Sequence, residues 1–303
     1  MNTNGALTGL LVDAGWIAEH LADPTVRIVE VDVSRAAYDE GHIQGAVLWN
    51  AYTDLREPDY APICAVDLER LLSTSGVTPE TTVVFYGYGG HLGFWLLKAH
   101  GHDRVRLMDG PRDTWRLAGH HWHLETQTPA PASYTLARRD PELYVSPESV
   151  HAMVGKTDSV LLDVRSRAEF EGRYFWPSGA AEGAGRTGHI PSSVHLPIEL
   201  LRTTDGTFHG TDELRDVLVC HGVTPDRRVV PYCTIGNRAS QAWFALSYLL
   251  GYPDCGVYYG SWAEWGTRAD TPIELCSSSG DTSGVSSLHP DSKGGRSPVP
   301  ATR

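Results

Sequence analysis

No two of the chain's five cysteines, Cys64, Cys220, Cys233, Cys255 and Cys276, stand in a C-x-x-C pair. An odd, scattered set of this kind excludes a disulfide framework and a zinc ribbon. No apolar run approaches the ~20 residues that a membrane span needs. The amino terminus has no basic region, and Asp13 interrupts its short apolar run, so no signal peptide is expected. Positive charge is scarce as well. Against 37 Asp+Glu there are 25 Lys+Arg, a net charge of -12, which speaks against a nucleic-acid or anionic-membrane binder. The expectation is a cytoplasmic protein with reduced thiols, and with neither nucleic acid nor membrane as partner.

What is present is ordinary globular composition, 41% hydrophobic and 20% charged over 303 residues, a length that suits two domains. The two halves repeat one another. "GVTPETTVVFY" in the first half answers "GVTPDRRVVPY" in the second, and "YDEGHIQGAVLWN" answers "RTGHIPSSVHLPI". From Gly41 to Gly87 is 46 positions, and from Gly188 to Cys233 is 45. Nearly equal spacing of several signals over a period of about 150 residues means a duplicated domain rather than a short-repeat solenoid.

Within each half, short β-branched runs alternate with helical patterns. In the second half the order is helix 146–155, strand 159–164, helix 211–222, strand 228–233, helix 238–251 and strand 255–260. Such alternation predicts an α/β fold, a parallel sheet flanked by helices in each domain. The expected boundaries are a first domain over 8–125, a proline-bearing linker over 126–144 and a second domain over 145–275. A tail over 276–303, rich in Ser, Gly and Pro, is expected to be disordered.

The second repeat contains "VVPYCTIGNRASQAWF", in which a thiol sits between an apolar strand and a helix. Successive backbone N–H groups and a helix start create a positive environment there. A thiol in that place is expected to ionise easily and act as a nucleophile. Cys233 is therefore the candidate nucleophile, and Thr234, Ile235, Gly236, Asn237 and Arg238 form its cradle. Gly236 permits the tight turn, and Arg238 adds a permanent cation. The other four cysteines have no such surroundings.

The segments "YCTIGNRAS", "GHIPSSVHLP", "LLDVRS" and "YGSWAEW" resemble the tandem rhodanese-type sulfurtransferases, over roughly residues 8 to 275. The resemblance implies an inactive first domain and a catalytic second one, and Gly87 stands where the repeat has Cys233. It also implies that the cysteine takes a sulfane sulfur from a donor, holds it as a persulfide and passes it to an acceptor, without a cofactor or metal. The second half has 16 extra residues between Asp163 and Gly188, and they carry Arg173 and Arg186. Both match the family's donor-binding arginines and are expected to hold a small anionic sulfur donor. Asp163 and Arg165 are expected to form a structural ion pair behind the loop.

Thr234 and Ile235 depart from the family's patterns at the positions after the cysteine. The missing hydroxyl at 235, and the lack of histidine in "DLREPDYAPI", favour thiosulfate over 3-mercaptopyruvate as donor. The alternative to a free-turnover enzyme is a partner-dedicated relay, with a sulfur-carrier protein or low-molecular-weight thiol as acceptor in thio-cofactor or natural-product biosynthesis. A cysteine phosphatase is disfavoured, because its loop has the form C-x5-R and this one is C-x4-R. "GYGGHLG" lacks the dinucleotide spacing, and "HHWH" lacks carboxylate or thiol partners for a metal.

Overall fold

A computed structural model describes residues 9–276 except 138 and 182. The expected tail, beyond Cys276, lies outside the described residues.

The first half runs β1 (Leu11–Val12), α1 (Ala14–His20), β2 (Val26–Asp32), α2 (Ala36–Glu40), β3 (Val47–Asn50), α3 (Ala65–Thr74), β4 (Thr82–Tyr86), α4 (Gly90–Ala99), β5 (Val105–Met108) and α5 (Thr114–Leu117). Its five strands pair in parallel in the order β1-β5-β4-β2-β3. Runs such as "TVVFY" are buried along almost their whole length, as expected for strands covered by helices on both faces.

The second half repeats the plan with α6 (Pro147–Met153), β6 (Ser159–Asp163), α7 (Arg167–Phe170), β7 (Val194–His195), α8 (Thr211–Cys220), β8 (Arg228–Tyr232), α9 (Asn237–Phe244) and α10 (Ser261–Thr267). A π turn at Ala245–Leu249 continues α9. Here the parallel sheet is β7-β6-β8. Single parallel bridges at Val229–Cys255 and Tyr144–Val257 stand where the first half has β5 and β1.

The sequence predicts a continuous strand over 255–260, and the structure differs for a chemical reason. The neighbouring ladder has Val229 N donating to Asp254 O, Gly256 N to Val229 O and Tyr258 N to Pro231 O. The donor missing from that series, between Gly256 N and Tyr258 N, is the nitrogen of Pro231, which has no hydrogen.

The linker segment 126–144 lies along the first domain. Ala132 N donates to Ser73 O, and Leu136 N to a Glu69 carboxylate oxygen.

The two halves share a core. Helices α4 and α9, equivalent in the duplication, pack against each other, and Phe94 meets Phe244 edge-on at 5.4 Å and Tyr248 at 5.6 Å. Trp95 stacks on Tyr259 at 5.2 Å. Because α9 begins a few residues after Cys233, this shared core fixes the cysteine loop against the first domain.

Phe94→Ala is expected to lower stability by about 3–5 kcal/mol through the cavity it leaves. Calorimetry on the wild type should show one unfolding transition for both halves. Two separate transitions, only one of them moved by the substitution, would contradict a shared core.

Candidate active site

Cys233 follows β8 directly and is 1% exposed. Gly236, just before α9, has φ +85, and a Cβ there would lie 2.8 Å from the Tyr259 carbonyl oxygen. Only glycine fits that turn.

Every carbonyl of the loop is held from behind. Cys233 O accepts from Trp262 N and Thr234 O from Ala263 N, both at 2.9 Å. Ile235 O accepts from Arg56 Nη2 at 2.9 Å. Gly236 O accepts from the backbone and the hydroxyl of Ser240, again at 2.9 Å. The Cys233 N–H donates to Ser261 Oγ at 3.1 Å. With the carbonyls so occupied, the N–H groups of Thr234, Ile235 and Gly236 donate to no backbone oxygen among the described residues. Those of Asn237 and Arg238 open a helix and have no intrahelical acceptor. The result is a loop beside the sulfur whose acceptors are taken and whose donors are left over, an arrangement suited to an anion.

Arg238 does not act as a free cation. Its guanidinium makes a two-pronged pair with Glu169, 2.8 Å on each side, and donates to Thr234 Oγ1 at 2.7 Å. Thr234 Oγ1 donates in turn to Glu169 at 2.6 Å. Burial alone would push the Glu169 carboxyl up. The bonds from Arg238, Thr234 and Ser166 outweigh it and hold the carboxyl at about 2. Burial also opposes the charge on Arg238; the bond to the Glu169 carboxylate, followed by the nearby Cys233 sulfur, reverses that, so the guanidinium keeps its proton more firmly than usual.

Cys233 faces a cavity of about 220 Å³. The first domain supplies Val33, Tyr52 and Tyr88 to its walls, and the insertion supplies Trp176, Pro177 and Ser178. Tyr88 follows Gly87, so the first domain's cysteine-less loop forms part of the second domain's site. Its carbonyl also accepts from Asn237 Nδ2 at 2.9 Å.

The two arginines expected to bind the donor do not line this cavity. Arg173 is 63% exposed and pairs with Glu171. Arg186 points into the second domain, where it donates to the carbonyls of Trp265, Gly266 and Thr271 and to the Thr271 hydroxyl. Asp163 and Arg165 pair through three bonds of 2.6 to 3.1 Å with both side chains fully buried, and Arg165 also donates to Gly188 O.

Arg56, Ser261, Glu169, Tyr52 and Tyr88 escaped the sequence reading. Only Glu169 left a local sign, the capping-box spacing from Ser166. Ser261, at φ +55, lies in the quoted "YGSWAEW" segment, but nothing in the spacing says that it holds the cysteine amide. Burial raises the Cys255 thiol to about 12; Cys64, Cys220 and Cys276 are exposed. Of the "HHWH" segment, His123 bridges His42 through the backbone and His121 O accepts from Trp115. Among the described residues no helix is long and apolar enough to cross a membrane.

The chain is thus a two-domain α/β protein with a buried thiol at the end of a parallel strand, in a loop whose carbonyls are all bound. The family description "Rhodanese-like domain" matches residues 13–118 and again 146–268, and the chain belongs to that family, with the domain in tandem. It is 38% identical over 275 residues to "Sulfur carrier protein TtuD" of Thermus thermophilus, covering 87% of this chain and 96% of that one. It is 36% identical over 286 residues to a "Putative thiosulfate sulfurtransferase" of Haloferax volcanii, covering 90% and 99%. Among solved structures, the anaerobic ergothioneine biosynthesis enzyme from Chlorobium limicola, in complex with trimethyl histidine, superposes with a TM-score of 0.78. The identity there is 26%, over 89% of this chain and 71% of that one.

Glu169→Gln leaves Arg238 buried without its counter-charge, which should cost about 3–5 kcal/mol at pH 7. The Glu169 carboxyl is lowered in the folded state from 4.5 to about 2. Its stabilisation is therefore complete above about pH 4.5 and is lost as the pH falls towards 2. Urea unfolding should show the gap between variant and wild type closing over that window. A gap that is absent at pH 7, or unchanged at pH 2.5, contradicts the pairing.

Proposed function

We propose that the protein is a thiosulfate sulfurtransferase whose Cys233 carries the sulfur as a persulfide. The observation that supports this most is the cysteine loop, in which every carbonyl from Cys233 to Gly236 is occupied by a donor while the amides of Thr234, Ile235 and Gly236 stay free of backbone acceptors among the described residues. The Cys233 thiolate attacks the outer sulfur of thiosulfate. An S–S bond forms to the cysteine, the donor's own S–S bond breaks, and sulfite leaves with the electron pair. A nucleophilic acceptor then attacks the outer sulfur of the persulfide and releases the thiolate, which completes a ping-pong cycle. Throughout, the loop holds one unit of negative charge on sulfur, as thiolate or as persulfide anion.

Of the two arginines proposed for the donor, Arg173 is the one we assign to attracting it. Its side chain is exposed and tied only to the half-buried Glu171, which Arg167 also pairs, and an ion pair at the surface costs little to break. Three residues further on, Trp176 enters the cavity wall. Arg186, bound to several carbonyls, is proposed to hold the insertion in place so that Trp176, Pro177 and Ser178 close the cavity. Arg173→Ala should raise KM for thiosulfate about tenfold with kcat little changed, whereas Arg186→Ala should lower thermal stability first. Steady-state kinetics beside a melting curve distinguish the two, and the reverse pattern would exchange the roles.

A second reading concerns the acceptor. The cavity, about 220 Å³, holds more than a cyanide ion, and Tyr52, Tyr88 and Trp176 give its walls aromatic faces, which favours a larger acceptor or the terminal residues of a carrier protein. Two proteins similar to this one are named a sulfur carrier protein and an ergothioneine biosynthesis enzyme. Comparing sulfur release from the loaded protein to cyanide, to a low-molecular-weight thiol and to a thiocarboxylate-forming carrier separates a general transferase from a dedicated relay.

Incubation with thiosulfate should add about 32 Da, one sulfur, to the intact protein. Cys233→Ser should abolish the gain, and replacing any of the other four cysteines should not. Loading from 3-mercaptopyruvate but not from thiosulfate would overturn the donor, and loading that survives Cys233→Ser would overturn the site.

A further inference from the structure

We infer that Arg56, a residue of the first domain, is the positioning residue that supplies the uncompensated positive charge behind the Cys233 loop. The inference rests on the sulfur-transfer reading of that loop. It begins with what Arg238 cannot do, since its charge is cancelled by the fully buried Glu169 carboxylate.

Arg56 is 7% exposed and has no carboxylate partner among the described residues. Asp54 and Glu57 line the same groove as Arg56, but they are engaged elsewhere. Asp54 accepts from Asn50 N and Thr53 Oγ1, and Glu57 accepts from Cys64 N. Carbonyls and aromatic faces hold the guanidinium instead. Nε donates to Ala51 O at 2.6 Å and Nη2 to Ile235 O at 2.9 Å. The carbon of the guanidinium lies 5.2 Å from the Tyr259 ring centre and 5.5 Å from that of Tyr52, and Tyr259 is itself fixed by its hydroxyl donating to Leu55 O at 2.6 Å. Nη1 is buried and has no hydrogen-bond partner.

A buried cation without a counter-ion is costly unless a negative charge nearby balances it. The only loop carbonyl that the second domain leaves for another domain to bind is that of Ile235, two residues from the sulfur. Binding it occupies the acceptor of the Ile235–Gly236 peptide and leaves the donor, and it brings a full positive charge to the back of the loop. An anionic sulfur on Cys233 is the negative charge that balances it. The charged groups next to the thiol are then Arg56 and the self-cancelling Arg238–Glu169 pair, with the neutral phenols of Tyr52 and Tyr88 on the cavity side.

The duplication repeats the arrangement in the other direction. Arg202 bridges Phe208 as Arg56 bridges Pro62, and it lines the cavity that contains Gly87. Each domain thus reaches an arginine towards the other's loop, and only one of those loops bears a thiol.

The test is the pH profile of Cys233 alkylation by iodoacetamide, measured on the full chain with the fold checked by circular dichroism. In Arg56→Met the midpoint should rise by about one pH unit or more, and kcat/KM for loading from thiosulfate should fall about tenfold or more. Arg56→Lys, which keeps the charge, should stay close to the wild-type midpoint, while Arg56→Gln, which keeps a donor without the charge, should follow Arg56→Met. If Arg56→Met does not fold, the Lys and Gln variants carry the comparison. Equal midpoints in Lys and Gln would overturn the inference, as would collapse of the fold in all three variants. A wild type that alkylates with the expected profile but takes sulfur from no donor would instead defeat the sulfur-transfer reading and leave the charge on Arg56 standing.

Discussion

Everything at this site depends on where the carbonyl groups of residues 233–236 point. A backbone loop offers equal numbers of donors and acceptors, so it selects for an anion only if its acceptors are occupied elsewhere. Here each carbonyl has its own donor: two amides at the start of α10, the Ser240 amide and hydroxyl, and the Arg56 guanidinium. The N–H groups of Thr234, Ile235 and Gly236 find no backbone acceptor among the described residues. A buried donor left without a partner costs about 1–3 kcal/mol, and an anionic sulfur beside the loop relieves several such donors at once. The loop is thereby prepared for the charge that the chemistry places there.

That constraint explains features that otherwise look unrelated. Ser261 takes an unfavourable positive φ because its hydroxyl must accept from the Cys233 amide while its neighbours Trp262 and Ala263 donate to the loop. The domains share a core because one of the four donors comes from the first domain and must arrive in register. At the position equivalent to Cys233 the first domain has Gly87, where φ is +89 and a Cβ would lie 2.9 Å from Val31 O. A cysteine could not simply be restored at that position. What remains of its loop, Tyr88, has become part of the wall around Cys233.

The sequence makes the local parts of this design legible. A β-branched strand, a thiol, a glycine and a helix start lie within sixteen consecutive residues, and the duplication is written in matching segments with matching spacing. Residues that act from a distance are not legible in that way. Arg56 is separated from Ile235 by 179 positions, and nothing in "DLREP" reveals that its side chain crosses a domain boundary. Arg186 shows the converse. Its position in the chain matches a donor-binding arginine, but spacing does not fix which way a side chain turns, and here it turns towards the carbonyls of α10 and the residues after it. The strand expected over 255–260 was read from composition, and one proline on its neighbour, Pro231, interrupts the ladder that would have made it continuous.

The most direct test of this loop is to watch its amides while the charge is in place. In a nitrogen-15-labelled protein loaded with sulfur from thiosulfate, with the added mass confirmed, the amide proton resonances of Thr234 through Arg238 should move downfield as they bond to the persulfide anion. They should return when cyanide removes the outer sulfur. Loaded protein in which those five resonances stay at their unloaded positions would contradict the account.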